Sequence, residues 1–419
     1  MKRRVAVTGI GLVCPLGDSA DAVYANAHAG RSAVHRLDDG DPAFAPFAAR
    51  LIAPLAATTH FDPAPHFDPP RLRMLDRVAQ FALVAARRAL AAARGAPAGF
   101  DPARSGVFVG TGMAGTLSND EGYRALYGEA SDRIKPYTVL LGMPNASAGW
   151  IAIEQGWTGP SLTYSTACSS SAVAIGEAFK RIADGELDVA LAGGSEAPLS
   201  LGSLKAWEAL HTLASVDAAN PAASCKPFAA NRSGMVLGEG AAMLVLEPWD
   251  GALARGATPL GEVLGYGLTT DAGHITRPSA AGQAQAMRAA LASAGLAPSD
   301  IDAINAHGTG TPANDVVETA AIKAVFGAHA SRLAISATKA IHGHLLGAAG
   351  ALEAALCLLA MQHRALLPTC HLELADPLCD LDYVSTGARD GVAVRRMLSN
   401  SFAFGGTNAV LALGAAEPA

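Results

Sequence analysis

The stretch best suited to chemistry, STACSSSAVAIG at 165–176, contains Cys168. Residues 163–166 predict a strand and residues 169–182 a helix, so the cysteine falls at a strand-to-helix turn. Free N–H groups and the dipole at a helix N-terminus favour an anion, which predicts a thiol of lowered pKa and raised reactivity. The N–H of Cys168 could also donate to an oxyanion. A small buried apolar side chain is the alternative, and this is our interpretation of the other five cysteines.

A second candidate is His307, in NAHGTGTPANDVVE at 305–318. The apolar run IDAINA predicts a strand that leads into the histidine, and two glycines allow a tight backbone after it. Asp315 and Glu318 open the next helix, where carboxylates suit the dipole, and we expect them to support the site. A structural histidine in a glycine-rich turn is the alternative.

The third stretch, TKAIHGHLLGAAGALE at 338–353, places Lys339, His342 and His344 before a helix rich in Ala and Gly. Because the neighbours of Lys339 are mostly apolar, we expect this lysine to be buried and paired with Glu353. The H-x-H spacing is also compatible with a metal pair. No third ligand lies nearby in the sequence, so we predict no metal site.

One thiol and two imidazoles have a joint use in making carbon–carbon bonds. Decarboxylation of a malonyl thioester leaves an enolate, whose oxygen two imidazole N–H groups can stabilise. The carbanion carbon can then attack a second thioester that is held covalently on a cysteine. Cys168, His307 and His344 therefore predict a condensing enzyme, provided that they line one cavity.

Two glycine-rich turns complete the candidates. LSNSFAFGGTNAVLAL at 398–413 predicts two apolar strands around a Gly-Gly turn, where Phe402 and Phe404 could gate an apolar pocket. An ordinary hairpin is the alternative. GTGMAG at 110–115 matches the G-x-G-x-x-G spacing of dinucleotide-binding loops, but neither a clear apolar helix nor a strand with an acidic end follows it. We therefore predict no nucleotide site there.

An α/β framework must position these turns. Helical stretches such as 75–95 alternate with short apolar runs at 5–9, 106–110, 188–194, 241–248 and 334–338. The residues at 251–259 lack apolar periodicity, and we place the boundary between two halves there. Both halves have the order strand, polar turn, small-residue helix, which would put Cys168 and His344 at comparable ends of their sheets.

Composition excludes several classes of protein. Half of the 419 residues are apolar and 16% are charged, which predicts a large core or a subunit interface. The net charge of −6 argues against nucleic-acid binding. Six scattered cysteines indicate free thiols in a reducing compartment, so we expect a cytoplasmic protein. The start MKRRVAVTGIG favours a first strand at 5–8 over a signal peptide, and no apolar window is long enough to span a membrane.

Taken together, the motifs resemble the beta-ketoacyl-acyl-carrier-protein synthases, in the class II branch with a Cys-His-His site. The resemblance covers essentially the whole chain, and its specificity lies in the order and joint presence of the motifs. They are VAVTGIGLVCPLG at 5–17, TACSS at 166–170, HGTGTP at 307–312, GHLLGAAG at 343–350 and NSFAFGGTN at 400–408.

This resemblance implies a thiolase-like fold, with two similar halves at 1–255 and 256–419 in a five-layer αβαβα sandwich, usually as a homodimer. It implies decarboxylative Claisen condensation of an acyl thioester with malonyl-acyl-carrier protein, as in fatty-acid elongation. The carrier delivers the phosphopantetheine arm, so no separate cofactor is expected. The alternative is a ketosynthase subunit of a specialised type II polyketide or aryl-polyene pathway, which could pair with a chain-length partner in a heterodimer.

The family pattern also assigns roles to the candidate residues. Cys168 matches the acylated nucleophile, and His307 and His344 match the pair that serves malonyl decarboxylation. Lys339 matches a lysine that orders the site electrostatically, and Glu353 matches its partner.

Further matches concern the substrate. The N–H groups of Cys168 and Phe404 match the oxyanion hole, and Phe404 also matches the gating phenylalanine. Thr309 and Thr311 match residues that contact the phosphopantetheine arm. Met113 falls where the family lines the acyl pocket, so its bulk is expected to limit chain length.

Three features depart from the family pattern. Ala403 replaces a usual glycine and is expected to stiffen the gating loop, and His342 replaces a small or hydroxyl residue and could alter the entrance. The stretch 213–220 lacks the arginine often used for carrier docking. Basic residues that could still meet an acidic carrier, or simply form a solvated helix face, are Arg71, Arg73 and Arg77.

Two competing functions are less consistent with the sequence. A thiolase-type enzyme, acting on coenzyme A thioesters without decarboxylation, has a second catalytic cysteine near the C-terminus, and SFAFGGTN contains none. A chain-length partner subunit without catalytic activity lacks the nucleophile, whereas this chain has Cys168 together with both histidines and Lys339.

Overall fold

The computed structural model describes residues 2–40, 44–93 and 100–416. The strands are β1 (Val5–Val13), β2 (Val34–Arg36), β3 (Leu55–Ala57), β4 (Ser105–Gly110), β5 (Ser161–Tyr164), β6 (Val189–Glu196), β7 (Leu237–Gly238), β8 (Gly240–Pro248), β9 (Gly261–Thr270), β10 (Ala303–Asn305), β11 (Ala334–Ser336), β12 (Ala365–Leu366), β13 (Arg389–Asp390), β14 (Arg396–Phe402) and β15 (Thr407–Ala415).

The α-helices are α1 (Ala20–His28), α2 (Leu37–Gly40), α3 (Ala45–Ala48), α4 (Pro69–Leu72), α5 (Arg77–Ala92), α6 (Thr116–Tyr123), α7 (Thr138–Gly142), α8 (Ala146–Gln155), α9 (Ser170–Ala183), α10 (Leu201–Ala209), α11 (Trp249–Ala254), α12 (Ala280–Ala294), α13 (Pro312–Phe326), α14 (Lys339–His342) and α15 (Ala349–Gln362). Two short 3-10 turns matter for the site, Ala167–Ser169 before α9 and Leu346–Ala348 before α15.

Within the described residues, ten strands form one sheet in the order β11-β10-β14-β15-β9-β1-β8-β6-β4-β5. The sheet has two halves of the same topology. In one half, β5, β4 and β6 are parallel while β8 and β1 pair antiparallel; in the other, β11, β10 and β14 are parallel while β15 and β9 pair antiparallel. A short antiparallel pairing of residues 5–7 with 261–263 joins them.

Helices complete a layered arrangement around these strands. Helices α9 and α15 contact strands of both halves, so they lie between them. Helices α5 and α8 pack on the outer side of the first half, and α12 and α13 pack on the outer side of the second. The α/β class and the five-layer αβαβα sandwich that the resemblance implied are therefore confirmed.

The two inner helices pack closely because their residues are small. A Cβ atom on Gly350 of α15 would lie 3.0 Å from the Cβ of Ala172 on α9, and one on Gly176 of α9 would lie 2.4 Å from the ring of Tyr266. Residues 349–361 of α15 are all buried. Small side chains let the inner helices fit between the two halves of the sheet and bring the start of each inner helix to the centre of the molecule.

Most predicted elements are present, with shifted ends. The run at 5–8 begins the longer strand β1, and the runs at 106–110, 188–194, 241–248 and 334–338 correspond to β4, β6, β8 and β11. The helix predicted at 75–95 is α5, Arg77–Ala92, and positions 94 and 95 lie outside the described residues. Helix α11 extends into the stretch 251–259, and the division at 255/256 stays a prediction.

Two global properties bear on function. In the ranges that the structure describes, we find no helix with the length and apolar character needed to cross a membrane. All six cysteines are free thiols, as their scattered spacing predicted.

Candidate active site

Cys168 lies in the 3-10 turn Ala167–Ser169, directly before α9. The preceding strand, β5, ends at Tyr164, two residues earlier than predicted. Ala167 has a φ of 50°, which is uncommon for a residue with a Cβ, and the turn is held by hydrogen bonds from the Ser169 hydroxyl to Thr166 O (2.9 Å) and from Thr166 N to the Ser170 hydroxyl (2.9 Å). The predicted placement at a strand-to-helix turn is thus confirmed.

The predicted lowering of the thiol pKa is wrong. Burial raises the pKa of Cys168 to about 12, and it outweighs the Lys339 charge and the N–H groups of Phe404 and Cys168, which act in the opposite direction. The thiol is 6% exposed, so its thiolate would lose most of its hydration. The helix N-terminus is present, but the sequence did not reveal how deeply the turn is enclosed.

His307 follows β10 and is held by its backbone. Its N–H donates to Glu318 Oε1 (2.8 Å), and the N–H of Gly308 donates to Glu318 Oε2 (2.9 Å). The Asn400 side chain on β14 also donates to Glu318 Oε1 (3.0 Å). Glu318 therefore fixes the turn that carries His307, whereas Asp315 accepts a hydrogen bond from Phe228 N (2.8 Å) on a neighbouring loop.

His344 is fixed both by its backbone and by its ring. Its N–H donates to Val236 O (2.7 Å), and its carbonyl accepts from Gly238 N (2.9 Å). The N–H of Leu346 donates to His344 Nδ1 (3.2 Å), so Nδ1 is an acceptor and Nε2 carries the proton of the neutral ring. His344 Nε2 is buried and has no hydrogen-bond partner among the described residues, which leaves one donor available to a ligand.

Cys168, His307 and His344 are up to 176 positions apart in the sequence, and the structure brings them together. The sulfur and one nitrogen from each ring all lie within 4.8 Å of one another. The two rings are perpendicular, with centroids 5.4 Å apart. Burial, together with the charge of Lys339, holds the pKa of both histidines well below the ordinary value, so both rings are neutral.

Lys339 lies behind His307, and the predicted pair with Glu353 is present. The ammonium donates to Glu353 Oε1 and to His307 O (2.6 Å), and it lies 3.4 Å from His307 Nδ1. Because an ammonium can only donate, His307 Nδ1 is an acceptor and Nε2 carries the proton. Burial raises the pKa of Glu353 to about 7, while Lys339 opposes this shift.

A cavity with about 120 Å³ of free volume connects these residues to the surface. Its buried end is formed by Cys168, His307 and His344, and its walls include Thr309, Thr311 and Phe404; exposed Thr276 lies at the other end. The hydroxyls of Thr309 and Thr311 are 2.9 Å apart. Phe402 also lines the cavity, with its ring 6.1 Å from that of His307. These seven predicted site residues therefore share one space.

Met113 does not line this cavity but belongs to an adjacent apolar cluster that contains Cys168. Its sulfur accepts a hydrogen bond from the indole N–H of Trp207 on α10 (3.3 Å). The indole in turn stacks on the Phe404 ring, with centroids 6.0 Å apart. Sequence reasoning missed Trp207, since neither of its two contacts is close to it along the chain.

Glu196, at the end of β6, was also missed. Its buried carboxylate accepts hydrogen bonds from the N–H groups of Gly112 (2.6 Å), Met113 (3.0 Å) and Gly347 (2.9 Å), and from the Thr111 hydroxyl (3.2 Å). The N–H groups of the GTGMAG loop thus bind an internal carboxylate, which explains why its glycine spacing does not mark a nucleotide site. An acidic residue closing an apolar strand, GGSE, was the available signal.

The H-x-H pair is not a two-histidine unit. One ring nitrogen of His342 lies 2.6 Å from Gly343 O and the other lies 2.9 Å from the Thr338 hydroxyl, and the residue is fully buried. His342 is therefore away from the cavity entrance. Cys168, His307 and His344 are close enough to hold a metal ion, but the ammonium of Lys339 beside His307 opposes a dication there.

Comparison with known proteins matches two ranges of the chain to one family. Residues 2–252 match the family described as beta-ketoacyl synthase, N-terminal domain, and residues 260–373 match beta-ketoacyl synthase, C-terminal domain. Nodulation protein E of Rhizobium meliloti (strain 1021) is 43% identical over 412 residues, which cover 98% of this chain and 99% of the relative.

Two further proteins extend the comparison. The 3-oxoacyl-[acyl-carrier-protein] synthase 2 of Staphylococcus aureus (strain N315) is 37% identical over 411 residues, 98% of this chain and 97% of the relative. The solved ishigamide ketosynthase/chain length factor is 34% identical with a TM-score of 0.89 and full coverage, 100% of both chains. Together with the family matches, these similarities show that the chain belongs to the beta-ketoacyl synthase family of acyl-transferring condensing enzymes.

Proposed function

We propose that the chain condenses an acyl group, held as a thioester on Cys168, with malonyl-acyl-carrier protein and releases carbon dioxide and a 3-oxoacyl-acyl-carrier protein, in fatty-acid elongation. The observation that carries this proposal is the proximity of one sulfur and two neutral imidazoles in a cavity that reaches the surface. We assign the nucleophile to the half 1–255 and the histidines and lysine to the half 256–419.

In the first step, Cys168 Sγ attacks the carbonyl carbon of an acyl thioester. A new carbon–sulfur bond forms, the carrier sulfur leaves, and the thiol proton ends on that leaving sulfur. The oxyanion of the tetrahedral intermediate would accept hydrogen bonds from the N–H groups of Cys168 and Phe404, because both already favour negative charge at the sulfur. The raised thiol pKa means that proton loss accompanies the attack rather than preceding it.

In the second step, a malonyl thioester loses carbon dioxide, and the electron pair of the broken carbon–carbon bond forms an enolate. The Nε2–H groups of His344 and His307 would donate to the enolate oxygen, and the unpartnered Nε2 of His344 supports this role. The α-carbon then attacks the acyl carbonyl, the bond to Cys168 Sγ breaks, and the thiol takes up a proton. Neutral imidazoles suit this step, because they donate without adding a second positive charge.

Lys339 would act on both steps through its charge. Its contacts with Glu353 and His307 O hold it in place, and its charge lowers the pKa of Cys168. Since the same ammonium keeps His307 Nδ1 an acceptor, Lys339 also sets which ring nitrogen faces the substrate. We therefore assign it a positioning role.

The acyl carrier protein is the expected partner, and its phosphopantetheine arm would enter past Thr309 and Thr311 without a separate cofactor. Of the three arginines considered for docking, Arg77 binds Glu239 (2.6 Å) and Arg71 stacks over Trp150 (4.2 Å). Arg73 is exposed beside them. A solvated helix face does not describe Arg77, and Arg73 is left as the candidate contact for an acidic carrier.

A second chain is expected against the first half of the sheet, as a homodimer or a heterodimer. Strand β5 is the edge of the described sheet. Large apolar side chains are exposed along residues 123–162, for example Tyr127 (84%), Val139 (80%) and Ile153 (68%). An apolar patch beside an exposed strand edge is typical of a protein interface. Val139→Asp should convert the oligomer to a monomer in size-exclusion chromatography with light scattering.

The decisive experiment combines intact-mass measurement with release of labelled carbon dioxide. Incubation with an acyl-carrier protein should add the acyl mass to the chain, and malonyl-carrier protein should then give labelled carbon dioxide and a 3-oxoacyl product. Cys168→Ala should take no acyl group, whereas Cys14→Ala, a change at a buried thiol away from the cavity, should behave like the unmodified chain. Acylation of Cys168→Ala at the normal rate would refute the assignment.

The second candidate is a ketosynthase subunit of a specialised polyketide or aryl-polyene pathway. The ishigamide ketosynthase/chain length factor, which is similar over the full chain, favours it specifically. Co-purification with a homologue that lacks the cysteine, and condensation only in its presence, would support this candidate. Activity of the chain as a homodimer would favour fatty-acid elongation.

A further inference from the structure

Trp207 contacts both a residue expected to limit chain length and the gating phenylalanine. Its indole N–H donates to the sulfur of Met113 (3.3 Å), and its ring stacks on Phe404 with a 22° angle between the planes. Both neighbours belong to the site: Met113 N donates to Glu196 (3.0 Å), and Phe404 lines the cavity together with Cys168. The Trp207 side chain thus links Met113 and Phe404, which are far apart in sequence.

An apolar cluster packs around these residues. Cys168, Met113, Trp207 and Ala403 belong to one apolar cluster, and the cavity that reaches Cys168 is not lined by Met113 or Trp207. An acyl chain on Cys168 that extends toward Met113 and Trp207 must therefore displace side chains of this cluster. Met113 is the residue best able to move, because its unbranched side chain rotates while its backbone stays bound to Glu196.

We propose that Trp207 is a specificity-determining residue that couples the position of Met113 to the position of Phe404. The inference rests on the proposed function, since it concerns the acyl group on Cys168. An acyl chain long enough to displace Met113 breaks the N–H···S hydrogen bond and frees the indole. The stacked Phe404 ring then shifts, and its N–H moves away from the oxyanion position. Long chains are thereby transferred more slowly than short ones.

The coupling can be tested from both ends. Trp207→Phe keeps an aromatic ring for the stack and removes the N–H donor, whereas Met113→Leu keeps the volume and removes the sulfur acceptor. The assay is the rate of Cys168 acylation by saturated acyl-carrier proteins from acetyl to dodecanoyl, followed by intact mass. Each variant should raise the ratio of long-chain to short-chain rates by about fivefold, the size expected for one lost hydrogen bond.

The double variant distinguishes coupling through the Trp207–Met113 hydrogen bond from independent effects of the two side-chain volumes. Because both single changes remove the same hydrogen bond, Trp207→Phe with Met113→Leu should give the same ratio as either change alone. Two effects that multiply, or single variants with an unchanged ratio, would overturn the inference. Trp249→Phe, a buried tryptophan outside the cluster, is the matched control and should leave the ratio unchanged.

Failure of this inference is distinguishable from failure of the proposed function. If the unmodified chain takes no acyl group from any carrier, the function itself is refuted. If it is acylated on Cys168 and only the length ratios fail to change, Trp207 alone has been misassigned. Should Trp207→Phe not fold, Met113→Leu breaks the same hydrogen bond from the other side and keeps the inference testable.

Discussion

The turn that carries Cys168 and the turn that follows His344 have the same local structure in the two halves of the molecule. Each is a 3-10 turn directly before an inner helix, Ala167–Ser169 before α9 and Leu346–Ala348 before α15. The first residue of each turn has a Cβ and yet a positive φ, 50° at Ala167 and 45° at Leu346. Such strain persists only where the surrounding structure fixes it, and here both sides of the molecule do so.

The same position in the two turns has opposite surroundings. The second residue is Cys168 in one turn and Gly347 in the other. The sulfur of Cys168 lines the cavity, whereas a Cβ on Gly347 would lie 2.3 Å from Gly112 N. The Gly347 N–H instead donates to Glu196 (2.9 Å). The reactive side chain beside the second turn is His344, three residues before Gly347, and its ring is oriented by the N–H of Leu346.

This difference teaches how one turn can serve two chemical purposes. A nucleophile needs free space in front of the turn, so its residue must point into the cavity. A hydrogen-bond donor needs a fixed direction, so its turn is packed against a neighbouring loop and leaves no room for a side chain. The duplication therefore supplies one framework, and the packing on each side decides which residue type it can carry.

Cys168→Ala should distinguish the role of the nucleophile from that of the hydrogen-bond donors most clearly. Acylation and condensation should fall by more than about a thousandfold, because no other thiol lines the cavity among the described residues. Carbon dioxide release from malonyl-carrier protein should continue, since His307 and His344 are untouched. If this variant unfolds at the normal temperature but loses carbon dioxide release together with acylation, the assignment of the two activities to different turns is contradicted.

His344→Ala should have the next largest effect, on the opposite activity. Removal of one preorganised N–H donor should lower carbon dioxide release and condensation by about 10²–10³-fold. Acylation of Cys168 should stay within about tenfold, because we assign the oxyanion donors of that step to the N–H groups of Cys168 and Phe404. His342→Ser serves as the control, since both nitrogens of that ring face Gly343 and Thr338. Equal losses in acylation and decarboxylation in His344→Ala would count against separate roles.

Gly347→Ala tests the packed turn directly. The added Cβ would meet the backbone of the 111–112 loop, which cannot move without disturbing Glu196, so we expect a loss of about 2–3 kcal/mol in the free energy of unfolding. Gly251→Ala, at an exposed position of α11, adds the same atom with its nearest neighbour at 3.8 Å and should be neutral or stabilising by up to about 1 kcal/mol. Denaturant unfolding measures both. Equal stabilities of the two variants would show that the turn has room for a side chain.

The sequence was sufficient to predict the elements and the identity of the grouped residues. Apolar runs located β1, β4, β6 and β8, and the residue types of the motifs identified the cysteine, the histidines and Lys339. These features are local, because each depends on a short window of residues. The resemblance to the family added the order and joint presence of these motifs along the chain.

What the sequence could not predict depends on contacts between distant residues. The pKa of Cys168 is raised because loops around residues 235, 346 and 403 enclose the turn. The positive φ at Ala167 has no signal in a residue with a Cβ, and the end of β5 at Tyr164 was likewise not predicted. Glu196 and Trp207 were missed for the same reason, since their partners are at least 83 residues away in sequence.

Glu196→Gln gives the smallest expected effect and sharpens the comparison at the carboxylate that holds the second turn. Burial raises the pKa of Glu196 to about 7, although its N–H donors favour the charged form. The folded protein therefore keeps a proton that the unfolded chain releases, whose carboxyl pKa is about 4.3, so stability is highest at low pH and falls as pH rises through 7. Between pH 5 and 7, Glu196→Gln should remove a slope of up to about 1.4 kcal/mol per pH unit from the free energy of unfolding. Glu353 titrates in the same range, but it does so in both proteins, so the difference between the two denaturation series isolates Glu196. If the free energies of unfolding of the two proteins change in parallel with pH, the bound N–H groups keep the Glu196 carboxylate ionised throughout. The second turn is then held by a full negative charge.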